Sequence, residues 1–178
     1  MKDRKLLGGE MGRISAEQYT VVRSSGIVAV LDNVRSAHNV GSVFRTCDAF
    51  HIDKVFLCGI CACPPSAELH KTALGAEMSV PWSHCGDTLE LVRSLKVDGY
   101  TVIAVEQTEH SVNLDDVVLQ NEGKYAFVFG NEVSGVDQAV VDEADFSLEI
   151  PQWGTKHSLN VSVCAGVVLW EAAKRRHP

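Results

Sequence analysis

Two groups of side chains, more than eighty residues apart, carry the polar chemistry of this chain. The first is Asn39-Val40-Gly41-Ser42-Val43-Phe44-Arg45. The second comes in two pieces: Gly130-Asn131-Glu132 and, beyond a strand-like FSLEIP, His157-Ser158-Leu159-Asn160-Val161-Ser162. Each mixes amide, hydroxyl or charged groups with glycine or apolar residues in a way that packing alone does not require. Asn39 falls where a helix is expected to begin, and a helix N-terminus offers unsatisfied N–H groups and partial positive charge to a phosphate. Gly41 leaves space on the face from which Arg45 projects one turn later. A guanidinium there can fork onto a phosphate or an oxyanion, and an ion pair with Asp48 is its competing use.

Glu132 follows directly on a strand end, the place where α/β sheets bind ligands. Gly130 permits close backbone approach to a flat cofactor, and the Glu132 carboxylate suits a site that handles a cation. Ile150-Pro151 holds the equivalent place after the next strand. Ser158 also reads as the N-cap of the last helix. Asn160 is a mediocre helix residue in what would be its first turn, which favours a functional role.

The elements that must position these groups alternate. Ser15-Ala16-Glu17-Gln18 has the form of a capping box and opens a short helix to about Arg23. Ile27–Leu31 is a continuous apolar run, as in a buried parallel strand. From Asn39, Val40, Val43, Phe44, Cys47 and Phe50 recur at helical spacing. A strand over 54–58, a loop over 59–65 and a short helix over 67–73 follow. A helix from Asp87 to about Leu95, a strand over 100–105, a helical turn near 114–119 and a strand over 125–129 come next. A helix over 137–144, a strand over 146–150 and a final helix from about Leu159 to Arg175 complete the chain. The alternation predicts an α/β fold, a mostly parallel sheet with helices on both faces. Without repeats or linkers, the 178 residues read as one domain: an arm over 1–26 and a core over 27–178.

An apolar fraction of 46% and a charged fraction of 22% are those of an ordinary globular chain. No run is long enough to span a bilayer, and MKDRKLLGGEMGR lacks the apolar core of a secretory signal. The expected compartment is the cytoplasm, with no membrane partner. Cys58-x-x-Cys61-x-Cys63, with His51, His70 and Cys85 available, invites a zinc reading, but a second CxxC pair is missing. Reduced thiols and no metal are the expectation, with Cys47 and Cys164 acting as small hydrophobes. The formal charge of −7 argues against a protein that coats nucleic acid indiscriminately. Residues 1–45, however, hold seven Lys/Arg against four Asp/Glu, and Lys174-Arg175-Arg176 adds a basic end. GxGxxG, P-loop, HExxH and GxSxG signatures are absent, which removes dinucleotide-dependent dehydrogenases, nucleotide hydrolases, zincins and α/β-hydrolases from contention.

In this order and at this separation the motifs resemble the three motifs of the TrmH (SpoU) branch of the SPOUT methyltransferases, from about Ile27 to Lys174. The resemblance implies a C-terminal trefoil knot and S-adenosylmethionine as cofactor. It also implies in-line methyl transfer to a ribose 2′-hydroxyl of structured RNA, and a homodimer. Asn39, Arg45, Glu132, Ser158 and Asn160 match the family's polar set, with Arg45 implied as catalytic. Val105-Glu106-Gln107, Gly130, Ile150, Ser158 and Leu159 match the loops that enclose the cofactor, largely through backbone. Residues 71–76 resemble the segment that follows the second strand, whereas His38 and His51 stand where relatives commonly have proline or glycine. A guanidinium is a very poor base, so Arg45 acts either as the implied base or as a holder of phosphate and developing alkoxide. About 26 residues before the first strand are too few for an added RNA-binding domain, which favours a minimal enzyme that reads its RNA by shape and an exposed loop; tRNA is expected over rRNA. Arg13 and Arg23 are candidates for a basic RNA-facing surface. Trp153, Trp170 and the apolar last helix are candidates for the dimer contact. The alternative is a non-catalytic RNA-binding protein that retains the SPOUT fold, against which the presence of both Arg45 and Asn160 speaks.

Overall fold

Alternation of side chains along the strands sets the layers. In β1 (Ile27–Asp32), Ile27, Ala29 and Leu31 face one core, and Val28 and Val30 face a second. The same split recurs in β4 (Tyr100–Val105) and β6 (Lys124–Phe129), where Ile103 and Phe127 oppose Val102 and Val128. Both faces are therefore covered, which is why these strands are apolar without interruption. The computed structural model describes residues 3–7, 10–12, 14–19, 21–22, 24–174 and 176. Arg13, Arg23 and Arg175 lie outside the described residues.

Seven strands form one sheet in the order β3-β2-β1-β6-β4-β7-β5, every adjacent pair parallel. The remaining strands are β2 (Lys54–Cys58), β3 (Trp82–Cys85), β5 (Val112–Asn113) and β7 (Phe146–Glu149). Helices α2 (Ala37–Ala49), α3 (Ala67–Ala73) and α7 (Val161–Ala173) supply the larger core through Val40, Val43, Phe44, Leu69, Val168 and Leu169. Helices α5 (Thr88–Val97) and α6 (Gln138–Glu143) cover the other face through Val92, Leu95 and Val140. Burial of each large side chain such as Phe44 or Phe127 stabilises the fold by about 1.5–3 kcal/mol. The mostly parallel α/β expectation holds.

Several boundaries differ from the sequence pattern. Ser15 and Gln18 do form the capping box, but α1 spans only Ala16–Tyr19. Helix α2 begins at Ala37, because the Ser36 hydroxyl caps it by accepting from the Asn39 N–H at 3.3 Å. Asn39 is thus already inside the first turn. The turn expected near 114–119 forms only at 114–116, where the Asp116 N–H donates to the Asn113 carbonyl at 2.9 Å; the rest is irregular, with Leu114, Val117 and Leu119 buried. Helix α4 (Ala76–Ser79) and edge strand β3 were not foreseen. Helix α7 starts at Val161 with Asn160 as its N-cap, so Ser158 is not the cap.

Candidate cofactor site and the amide–carboxylate clamp

The carboxyl ends of β6, β4 and β7, adjacent in the sheet, open into a cavity of about 640 Å³. Of the residues assigned to cofactor loops, Val105, Glu106, Gln107, Gly130, Ile150, Ser158 and Leu159 all line it, as do Glu132 and Asn160. The volume lies in the range of pockets that enclose a small-molecule ligand. Its walls combine loop backbone at three strand ends with apolar Phe129, Leu148 and Ile150 and polar Gln107, Gln152 and Ser158. Such a lining fits a cofactor with a flat base, a ribose and a charged tail. The residues present therefore fit S-adenosylmethionine.

Glu132 is placed differently from its sequence-based reading. Its carboxylate accepts from the backbone N–H of Arg35 at 2.9 Å and of Ser36 at 3.0 Å, and from Asn39 Nδ2 at 2.8 Å. Asn39 Oδ1 in turn accepts from Asn160 Nδ2 at 3.1 Å. Asn160 Oδ1 accepts from the N–H and the hydroxyl of Ser162 at 2.9 and 2.7 Å. Three motifs, the first more than ninety residues from the other two, are thereby closed into one chain of hydrogen bonds, and Glu132 serves α2 rather than standing free for a cation. Partial burial pushes its carboxyl up, but the donors at Arg35, Asn39 and Ser36 together outweigh that and hold it below the usual carboxylate range.

Gly130 also has another reason to be glycine. A Cβ there would lie 2.1 Å from both Gly135 C and Val136 N, so the close approach is between two stretches of this backbone. Gly41 is buried against α3, where a Cβ would come within 2.2 Å of the Leu69 carbonyl oxygen. It permits helix contact rather than clearing room for Arg45. Arg45 itself does not reach the cavity. It is exposed, forms no ion pair with Asp48, and lines a second groove with Ser42, Thr46, Ala49, Phe50, Lys71 and Thr72.

The remaining candidates are engaged in the fold. His38 pairs with Glu68 at 3.2 Å, and His51 sits at φ 51°, a backbone region that favours glycine, with Nε2 2.8 Å from the Tyr19 carbonyl. Arg176 is bound to the 121–123 turn, donating to the carbonyls of Asn121 and Gly123, so it is not a free basic end. Burial pushes the thiols of Cys58 and Cys61 up to about 12 and about 11, and no metal-holding group of His, Cys, Asp or Glu gathers among the described residues. Sequence reasoning missed Asp32 and Asn33. The only signal was a polar pair, one charged and one neutral, where an otherwise apolar strand ends.

A doubly covered parallel sheet with its ligand crevice at the carboxyl strand ends, closed by this clamp, defines the class. Residues 26–170 match the SpoU rRNA methylase family, and the chain belongs to it. A protein provisionally described as a TrmH family tRNA/rRNA methyltransferase of Staphylococcus haemolyticus is 31% identical over 84% of this chain. The chain spans 59% of the length of that relative. A solved TrmH/SpoU tRNA modifying enzyme of A. aeolicus is 27% identical, with a TM-score of 0.79 over 90% of this chain and 82% of its own. An AdoMet-bound rRNA methyltransferase of Sinorhizobium meliloti is 27% identical, with a TM-score of 0.78 over 85% of this chain and 57% of its own. No helix of the described residues is long and apolar enough to cross a membrane.

Proposed function

We propose that this chain is an S-adenosylmethionine-dependent methyltransferase acting on a ribose 2′-hydroxyl of structured RNA, with tRNA favoured over rRNA and the cytoplasm as its compartment. The observation that carries the reading is the cavity at the ends of β6, β4 and β7, joined to α2 by the Glu132–Asn39–Asn160 clamp. The trefoil threading implied by the resemblance belongs to the same reading. When bound, S-adenosylmethionine supplies an electrophilic methyl group beside the RNA ribose. Loop backbone around Val105, Gly130, Ile150 and Leu159 would hold it, and Phe129 and Leu148 keep that end of the cavity apolar. Asn39 and Asn160, fixed by the clamp, orient the first turns of α2 and α7 toward the reacting centre.

Arg45 holds an RNA phosphate and stabilises the developing alkoxide. Its exposed position outside the cavity supports a homodimer in which RNA contacts come from both subunits. The tRNA preference rests on the likeness to the A. aeolicus protein, itself described as a tRNA modifying enzyme. The test is tritium transfer from labelled S-adenosylmethionine to small RNA, followed by mapping of the modified nucleotide. Arg45→Ala should nearly abolish transfer and leave cofactor binding by calorimetry close to wild type. Arg45→Lys should be nearly as poor, because lysine lacks the planar fork. An alanine variant that transfers methyl groups at the wild-type rate would move the catalytic centre elsewhere.

A further inference from the structure

Five of the six residues of β1 are apolar and buried, and the sixth, Asp32, is a carboxylate only 2% exposed. It lies beside the cavity rather than in its lining. Three groups reach it, and each donates: the Thr88 hydroxyl at 2.6 Å, Asn33 Nδ2 at 2.9 Å and the Asp137 N–H at 2.9 Å. An acceptor-only group is the one kind of side chain that satisfies all three. Burying a charge is costly even when it is well bonded, so a position needing only stability would be filled by another apolar residue. The partners show what the charge specifies. Asp137 closes the 130–137 loop and caps α6. At the loop's other end, Asn131 Nδ2 donates 2.7 Å to the carbonyl of Asn33, the residue after Asp32. The loop between these anchors forms one wall of the cavity, from Gly130 to Val136.

We propose that Asp32 is a positioning residue for the cofactor: it pins the exit of the 130–137 loop to the end of β1 and so sets the shape of that wall. This rests on the methyltransferase reading above. Asp32→Asn presents an N–H group to at least one of the three donors and replaces the charged acceptor at the loop exit with a neutral amide, which weakens that anchor, while the outline of the side chain is unchanged. Thr88→Val is the control. It removes one donor that belongs to α5 rather than to the loop and leaves the Asp137 contact in place.

Calorimetry with S-adenosylmethionine and steady-state methyl transfer on the same preparations test the proposal. Asp32→Asn should raise the cofactor Kd and KM by about tenfold or more. Its KM for RNA and its kcat at saturating cofactor should stay near wild type. Thr88→Val should lower the thermal midpoint and keep the wild-type cofactor Kd. A folded Asp32→Asn protein with unchanged cofactor affinity, or equal weakening by both variants, would overturn the positioning role. Wild-type protein that binds no S-adenosylmethionine would sink the methyltransferase reading first. Hydrogen exchange in the wild type gives a second measurement that does not need the variant to fold. The Asp137 amide should become more protected on adding cofactor, and unchanged protection would count against the proposal.

Discussion

Glu132 joins two elements through charge, so its contribution depends on pH. Its carboxyl lies below the usual range in the folded protein because the N–H donors at Arg35, Asn39 and Ser36 outweigh the effect of partial burial. A carboxyl depressed by folding stabilises the native state above its unfolded-state value, and that contribution is lost as pH falls through the folded one. The clamp therefore holds at neutral pH and releases in acid, below the range in which an ordinary carboxyl titrates. Urea unfolding followed from pH 7 to pH 3 should show wild-type stability falling more steeply at the acid end than that of Glu132→Gln. The two curves should converge once the carboxyl is protonated. Parallel curves would mean that the carboxylate contributes nothing to folding. The sequence marked Asn39, Glu132 and Asn160 as unusual, because polar groups beside a strand end or a helix start need a reason. It did not show that they satisfy one another, since partners 93 and 121 residues apart meet only in the folded chain.

Glycine decides how closely the elements approach. At Gly130 the strand end β6 lies against the backbone of Gly135 and Val136, and Asn131 and Gly135 form an isolated antiparallel bridge across the same turn. A methyl group there has backbone on its far side, so no side chain can swing away to admit it. Gly130→Ala should cost about 3 kcal/mol in urea unfolding, at the upper end of ordinary overpacking, and should weaken cofactor binding through the displaced wall. Wild-type stability in that variant would show that the turn adapts freely. The long strands were legible because burial on both faces leaves an apolar run. The short ones were not. β5 is two residues held only by the edge of β7, and in β3 no residue is fully buried, so neither leaves a periodic trace. Of the helical turn expected near 114–119 only a turn at 114–116 forms, and Leu114, Val117 and Leu119 join the larger core from a segment that is otherwise irregular. The start of α7 was read two residues early because Ser158 and Asn160 are both competent caps.

For the whole molecule, the open question posed by the fold is what covers the outer face of α7. Its inner face packs Ala165, Val168, Leu169 and Ala172 into the core, yet Val163, Val167 and Trp170 continue the apolar surface on the solvent side. Trp170 is 55% exposed, with its ring 5.4 Å from that of Phe50 on the neighbouring end of α2. A helix apolar all round belongs in an interior, and here a second copy of the chain would supply the missing half. Trp153 is 90% exposed on the loop before α7 and is a second candidate contact. Periodicity showed the apolar last helix but could not distinguish a core helix from an interface helix, nor could it report the threading of a knot. Light scattering at micromolar concentration should give a dimer. Val167→Glu, which places a charge on the outer face and leaves the inner one intact, should shift the protein to monomer and cut methyl transfer. Its thermal midpoint, measured at a concentration where wild type is also monomeric, should stay near the wild-type value, because a half-exposed surface valine contributes little to the monomer's own core. A stable wild-type monomer with full activity would defeat the dimer. It would then require the Arg45 groove and the cofactor cavity of one subunit to serve the same RNA.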